Sequence, residues 1–240
     1  MLAVQDLFTV QPSTARSTPY SLPMRDVFHE ELESITKSLL QMSSLVQDAL
    51  AHATTALLTA DLGLAEKVIQ EDATIDTIQH ELDARTINLM ARQQPVASDL
   101  RALVSSLRMS ADLERMGDLA DHIAKLARKR FPGTAVPPEL ALTIDEMGRT
   151  AGKIIAKMSS VIEHRDIARA LEIEADDDEM DVLHRKIITT LLADDWGYGV
   201  ETAIDMTLLA RFYERCADHA VSIARRVYFL VTGEYAAPRA

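Results

Sequence analysis

The chain has 240 residues and a formal net charge of −12, enough for a sizeable core in one or two domains. The acidic excess repels phosphate backbones and excludes general nucleic-acid binding. The single cysteine, Cys216, excludes a disulfide framework and fits a reducing compartment. No apolar run approaches the roughly 18 residues of a membrane span and no basic-then-apolar leader opens the chain, so a soluble, cytoplasmic protein is expected.

Aromatic residues make up 5% of the chain, with only eight glycines and eight prolines. That balance favours a few long helices over sheets. Residues 1–23 carry Gln-Pro-Ser-Thr and Ser-Thr-Pro-Tyr-Ser without helical periodicity and read as a disordered extension. From Val27 to about Leu58, Leu32, Ile35, Leu39, Met42 and Val46 fall at three- and four-residue steps, which predicts a helix. Asp61 is placed to cap a second helix reaching about Arg92. Gln93–Ala97 interrupts, and Ser98 is expected to cap a third helix ending near Arg130.

The Pro- and Gly-bearing stretch 131–138 reads as a linker. A helix over about 139–164 follows, then a break at His164-Arg165-Asp166, a helix over about 167–193, a turn over 194–199 and a last helix over about 201–232. Gly233 stops it, leaving a tail over 234–240. The basic cluster Lys125, Arg128, Lys129 and Arg130 reads as a complement to a helix C-terminus.

The chain repeats itself. Asp61 and Asp166, Asp72 and Asp177, and Asp76 and Asp181 are each separated by 105 residues; Glu114 and Glu214, and Asp118 and Asp218, by 100. The fold expected is all-α: two copies of a three-helix bundle, residues 24–131 and 139–233, joined by 132–138.

The repeat preserves acids as well as the apolar stripe. Each copy has two acidic pairs at i,i+4: Asp72/Asp76 and Glu114/Asp118, then Asp177/Asp181 and Glu214/Asp218. At about 100° per residue, Glu114 and Asp118 share a face opposite Met109, Met116 and Ile123. Glu214 and Asp218 likewise oppose Leu209, Phe212, Cys216 and Ile223. On the second helix of each copy the acids flank the stripe, where they can meet a neighbouring helix across a groove. Such faces are ordinarily solvated. Yet like charges at i,i+4 oppose helix formation, and here the arrangement recurs four times, with small residues sharing the acids' face on the third helix of each copy (Ala111, Gly117, Ala210, Ala217). Oxygen donors of this kind suit Mg, Ca, Mn or Fe better than a thiolate-type zinc site. His184, three residues after Asp181, is a weaker ligand candidate. Walker A, GxGxxG, HExxH and GxSxG motifs are absent.

Asp112–Asp118 (DLERMGD) and Tyr213–Val221 (YERCADHAV) resemble the two signature segments of PhoU proteins, as do Gln93–Arg101 (QQPVASDLR) and Met24-Arg25 with His29–Leu32 (HEEL). The resemblance covers about residues 24–233 and is nearest the actinobacterial branch. It implies a cytoplasmic negative regulator of phosphate uptake and phosphate-starvation signalling, touching the membrane only through partners. Those partners would be the ATPase subunit of a phosphate ABC transporter and a sensor histidine kinase, with homodimerisation common in the family. It also implies surface-bound metal ions, iron clusters among them, with Mg, Mn, Ca or Zn open. The implied ligands are Asp72, Asp76, Glu114 and Asp118 in one copy and Asp177, Asp181, Glu214 and Asp218 in the other. Phe212 stands where the first copy has Asp112, so the two sites need not bind metal equally. No catalytic residue is expected; the competing readings are an enzyme using a carboxylate-bound metal cluster and a scaffold with solvated acids.

Overall fold

A computed structural model describes residues 21–236. It contains six helices: α1 (Ser21–Thr59), α2 (Leu62–Gln93), α3 (Ala97–Arg130), α4 (Pro138–His164), α5 (Ile167–Leu191) and α6 (Gly199–Thr232). No described residue forms a strand.

The turns follow from local chemistry. Asp61 accepts a 2.9 Å hydrogen bond from the Leu64 amide at the start of α2. Its repeat partner Asp166 accepts a 3.0 Å bond from Arg169 at the start of α5, so one cap serves both copies. Pro137 precedes α4 and Pro138 opens it, where a missing N–H is harmless. Gly233 ends α6 at φ +78°, a conformation that favours glycine. Three expectations need correcting. Helix α1 starts at Ser21, not after Pro23, because proline is tolerated in a first turn whose amides lack helical partners; residues 1–20 lie outside the described residues. Ser98 caps nothing: the chain enters α3 through extended Val96, whose carbonyl takes the Asp99 amide at 3.2 Å. In α6 the inward aromatic is Tyr213, fully buried, while Phe212 lies at the core edge against His122, ring centroids 5.4 Å apart.

Helices α1, α2 and α3 pack on one another, as do α4, α5 and α6. The copies meet through α3 against α6 and α1 against α4; α2 and α5 touch only their own copy. Four helices therefore make an inner layer and two flank it. Met42, Val46, Leu113, Met116, Ile123, Ile144, Met147, Ile154, Cys216 and Ile223 fill the resulting continuous core at 0% exposure. Burying each large aliphatic side chain contributes about 1.5–3 kcal/mol.

Helices α3 and α6 cross in opposite directions, held by charge at one end and again midway along α3. At one end Arg130 Nε donates to Asp205 Oδ2 at 2.6 Å, and Arg130 Nη2 meets Glu201 at 2.9 Å. Further along, Asp112 receives Arg226 Nε at 2.9 Å and lies 3.0 Å from His219 Nδ1. Burial opposes ionisation of Asp112, but these two partners hold its carboxyl below the ordinary range. Among the described residues no helix is long and apolar enough to cross a membrane.

Candidate metal centres

Each outer helix forms an acidic cleft with its neighbour. In the first copy α2 brings Asp72 and Asp76 towards Glu114 and Asp118 of α3; all four are half-buried. The helices approach closely because Gly117 faces α2. A Cβ there would meet Ile75 Cδ1 at 2.9 Å and Asp72 Oδ1 at 3.2 Å.

The charges feel one another. Asp72 is pushed up to about 6, first by burial and then by Asp121, Asp76 and Asp118. Glu114 is raised by burial and by Asp118. In the second copy, Asp177 is pushed up to about 6 by burial, then by Asp218, Asp181 and Glu214. Glu214 is raised by burial and by Asp218. Each copy thus concentrates four carboxylates whose ionisation is mutually unfavourable.

Arginines partly offset this repulsion. Arg115 Nη1 donates to Asp118 Oδ2 at 2.7 Å and its Nε lies 3.6 Å from Glu114. Arg211 contacts both oxygens of Glu214. Among the described residues no three histidine, cysteine or acidic side chains are poised around a single ion; a cation would draw carboxylate oxygens away from these guanidinia. The donor set nevertheless fits a hard cation. It is oxygen-only at its centre, and Cys216 is sealed in the core. Asp177 Oδ1 and Asp121 Oδ1 are also buried without hydrogen-bond partners, which is costly unless something compensates.

Asp121 was missed by comparing the copies. It is 3% exposed, paired with Lys125, and raises Asp72. Its counterpart is Val221, so the repeat hides it; its position one turn beyond Asp118 was the available signal. His184 acts electrostatically on Glu214, and His80 does so on Glu114. Asp112 and Phe212 belong to the α3–α6 seam rather than to the clefts, so their exchange does not alter the acid sets.

Fold and clefts together define a duplicated three-helix-bundle protein with one carboxylate cleft per copy. The PhoU domain family matches twice, over residues 39–127 and 144–227, and the chain belongs to that family. It is 46% identical over 212 residues to "Phosphate-specific transport system accessory protein PhoU homolog 2" of Mycobacterium tuberculosis, covering 88% of this chain and all of that one. It is 44% identical to homolog 1 of Mycobacterium leprae, covering 88% of this chain and 96% of that one. Among solved structures, PhoU from Pseudomonas aeruginosa superposes with a TM-score of 0.79 at 30% identity, covering 86% of this chain and all of that one.

Proposed function

We propose that this protein is an accessory regulator of phosphate transport that restrains uptake and starvation signalling. It would do so by linking the ATPase subunit of a phosphate ABC transporter to a sensor histidine kinase in the cytoplasm, as a homodimer. The observation that carries this reading is similarity at 46% identity, over 88% of this chain and the whole of the relative, to a protein named as a phosphate-specific transport system accessory protein. Its role is non-catalytic.

The two clefts are proposed metal sites. Asp72, Asp76, Glu114 and Asp118 would hold metal in the first, and Asp177, Asp181, Glu214 and Asp218 in the second. Iron, magnesium, manganese, calcium or zinc could occupy them. A bound cation would offset the repulsion that raises Asp72 and Asp177. The chain's own part is to hold the acids on two rigid helices and to keep competing arginines within reach.

The test is phosphate uptake and starvation-gene output in cells lacking the protein, complemented by wild type or by Glu114→Ala/Asp118→Ala and Glu214→Ala/Asp218→Ala. Loss is expected to derepress both outputs; unchanged uptake and normal signalling would overturn the regulator. Metal content of the same purified variants should fall cleft by cleft. Metal-free wild type would remove the clefts from the account while leaving the regulator standing.

A further inference from the structure

The strongest site outside the acidic clefts is cationic. A cavity of about 580 Å³ opens between the start of α3 and the end of α6. Arg101, Arg108, Arg225 and Arg226 line it, with Phe229 and Tyr235, and among the described residues no acidic side chain does. In a chain of net charge −12 that concentration calls for a reason.

Two of the four arginines are already matched. Arg225 Nε donates to Glu174 at 2.6 Å and Arg226 to Asp112. Arg101 and Arg108 have no carboxylate partner among the described residues. Arg101 Nε is buried without a hydrogen-bond partner. Its guanidinium lies against Gly233, where a Cβ would meet Nη1 at 3.0 Å, and 6.0 Å from the Phe229 ring centre.

The repeat supplies an internal control. The 100-residue offset relating Glu114 to Glu214 carries Arg101 to Glu201, Ser105 to Asp205 and Phe229 back to Lys129. At that opposite end of the α3–α6 seam, acids and bases cancel: Arg130 and Lys129 meet Asp205, and Arg130 meets Glu201. Packing these two helices therefore does not require unmatched arginines.

We propose that this cavity binds an organic polyphosphate bearing an aromatic ring, of the nucleoside triphosphate class. Arg101 and Arg108 are seven residues apart on one helix face, about 10 Å along the axis, a span suited to several phosphates rather than one carboxylate. Guanidinium forks match phosphate oxygens. Tyr235, 77% exposed, stacks on Phe229 with centroids 4.5 Å apart and leaves an open face for a base. The cavity volume falls in the ordinary range for such ligands. The site is independent of the acidic clefts.

The test is calorimetry on the full chain in EDTA, with ATP, pyrophosphate, inorganic phosphate and adenosine. The chelator keeps metal-bridged binding at the acidic clefts out of the measurement. ATP is expected to bind once per chain and more tightly than pyrophosphate or phosphate. Arg101→Gln and Arg108→Gln should each weaken ATP about tenfold or more, as loss of a charge-assisted bond does. Tyr235→Ala should weaken ATP but not pyrophosphate. Arg108 is exposed, so its variant tests the site without threatening the fold. No ATP binding at millimolar concentration, undiminished binding in Arg108→Gln, or pyrophosphate binding as tight as ATP would each overturn the proposal.

Discussion

Thr54 of α1 and Tyr213 of α6 share a buried 2.7 Å hydrogen bond across 159 residues of chain. Thr54 Oγ1 also donates to the Leu50 carbonyl at 2.7 Å, so the Tyr213 hydroxyl donates to Thr54. This bond joins the two copies inside the core, where Tyr213 has no exposure. Burial pushes its phenol well above the usual range, so it remains a donor throughout the accessible pH range. Tyr213→Phe should destabilise the protein by about 1 kcal/mol, read as a lower urea midpoint at unchanged slope.

Gly148 supports the same contact from α4. A Cβ there would meet Thr54 Cγ2 at 2.7 Å and Oγ1 at 3.0 Å, and β-branched threonine has little freedom to move aside. Gly148→Ala is expected to cost about 1–3 kcal/mol. Combined with Tyr213→Phe it should cost less than the sum, because both changes act on one hydrogen bond. Strict additivity in a double-mutant cycle would show that Gly148 acts elsewhere.

Asp205, 2% exposed, depends on Arg130. Removing Arg130 would leave the buried Asp205 carboxylate with only the Lys129 ammonium, 3.8 Å away. Arg130→Met should therefore destabilise by about 1–3 kcal/mol, the cost of an under-satisfied buried group, and adding Asp205→Asn should recover part of that loss. A loss below 1 kcal/mol in thermal unfolding would place the pair in effective contact with water.

The clefts predict an unusual pH response of chelated protein. Asp72 and Asp177 are raised from 3.8 to about 6 in the folded state. The folded state therefore binds protons more readily than the unfolded chain. Their contribution favours folding fully below pH 3.8 and is lost as the pH rises through about 6. Between pH 5 and 7 chelated wild type should lose stability as pH rises, and Asp72→Asn/Asp177→Asn should flatten the slope. An equal slope in that variant would assign the effect to other groups.

Arginine competition can be tested from the metal side. Arg115→Gln and Arg211→Gln remove cations that hold Asp118 and Glu214. Each is expected to strengthen divalent-cation binding at its own cleft and not at the other. Ligand-linked stabilisation reports this directly, since cation at 100 times its dissociation constant adds about 2.7 kcal/mol. Weakened binding in both variants would make the arginines supports of the site rather than competitors.

Most of the architecture was legible in the sequence because its determinants are local. Periodicity located six helices, and Asp61 caps α2 as expected; its repeat partner Asp166, read only as part of a break, caps α5 in the same way. The fixed separations of Glu114 from Glu214 and Asp72 from Asp177 revealed the duplication. What escaped depended on tertiary partners. Asp121 joins the first cleft only because α2 packs on α3, and its counterpart Val221 erased it from the repeat. The choice between Phe212 and Tyr213 as the core aromatic turns on a hydroxyl partner 159 residues away. Asp112 looked like part of an acid motif until α6 supplied His219 and Arg226.

The antiparallel crossing of α3 with α6 relates the copies by an approximate two-fold axis. A contact that separate identical subunits would make is made here within one polypeptide. In an isologous pair every residue appears on both sides of the axis, so a change that helps one side is imposed on the other. Covalent linkage removes that constraint. Asp112 can anchor a histidine and an arginine while its counterpart Phe212 packs against His122, and one rim can neutralise itself while the other keeps its arginines. A single molecule can thus show two chemically different faces through one architecture.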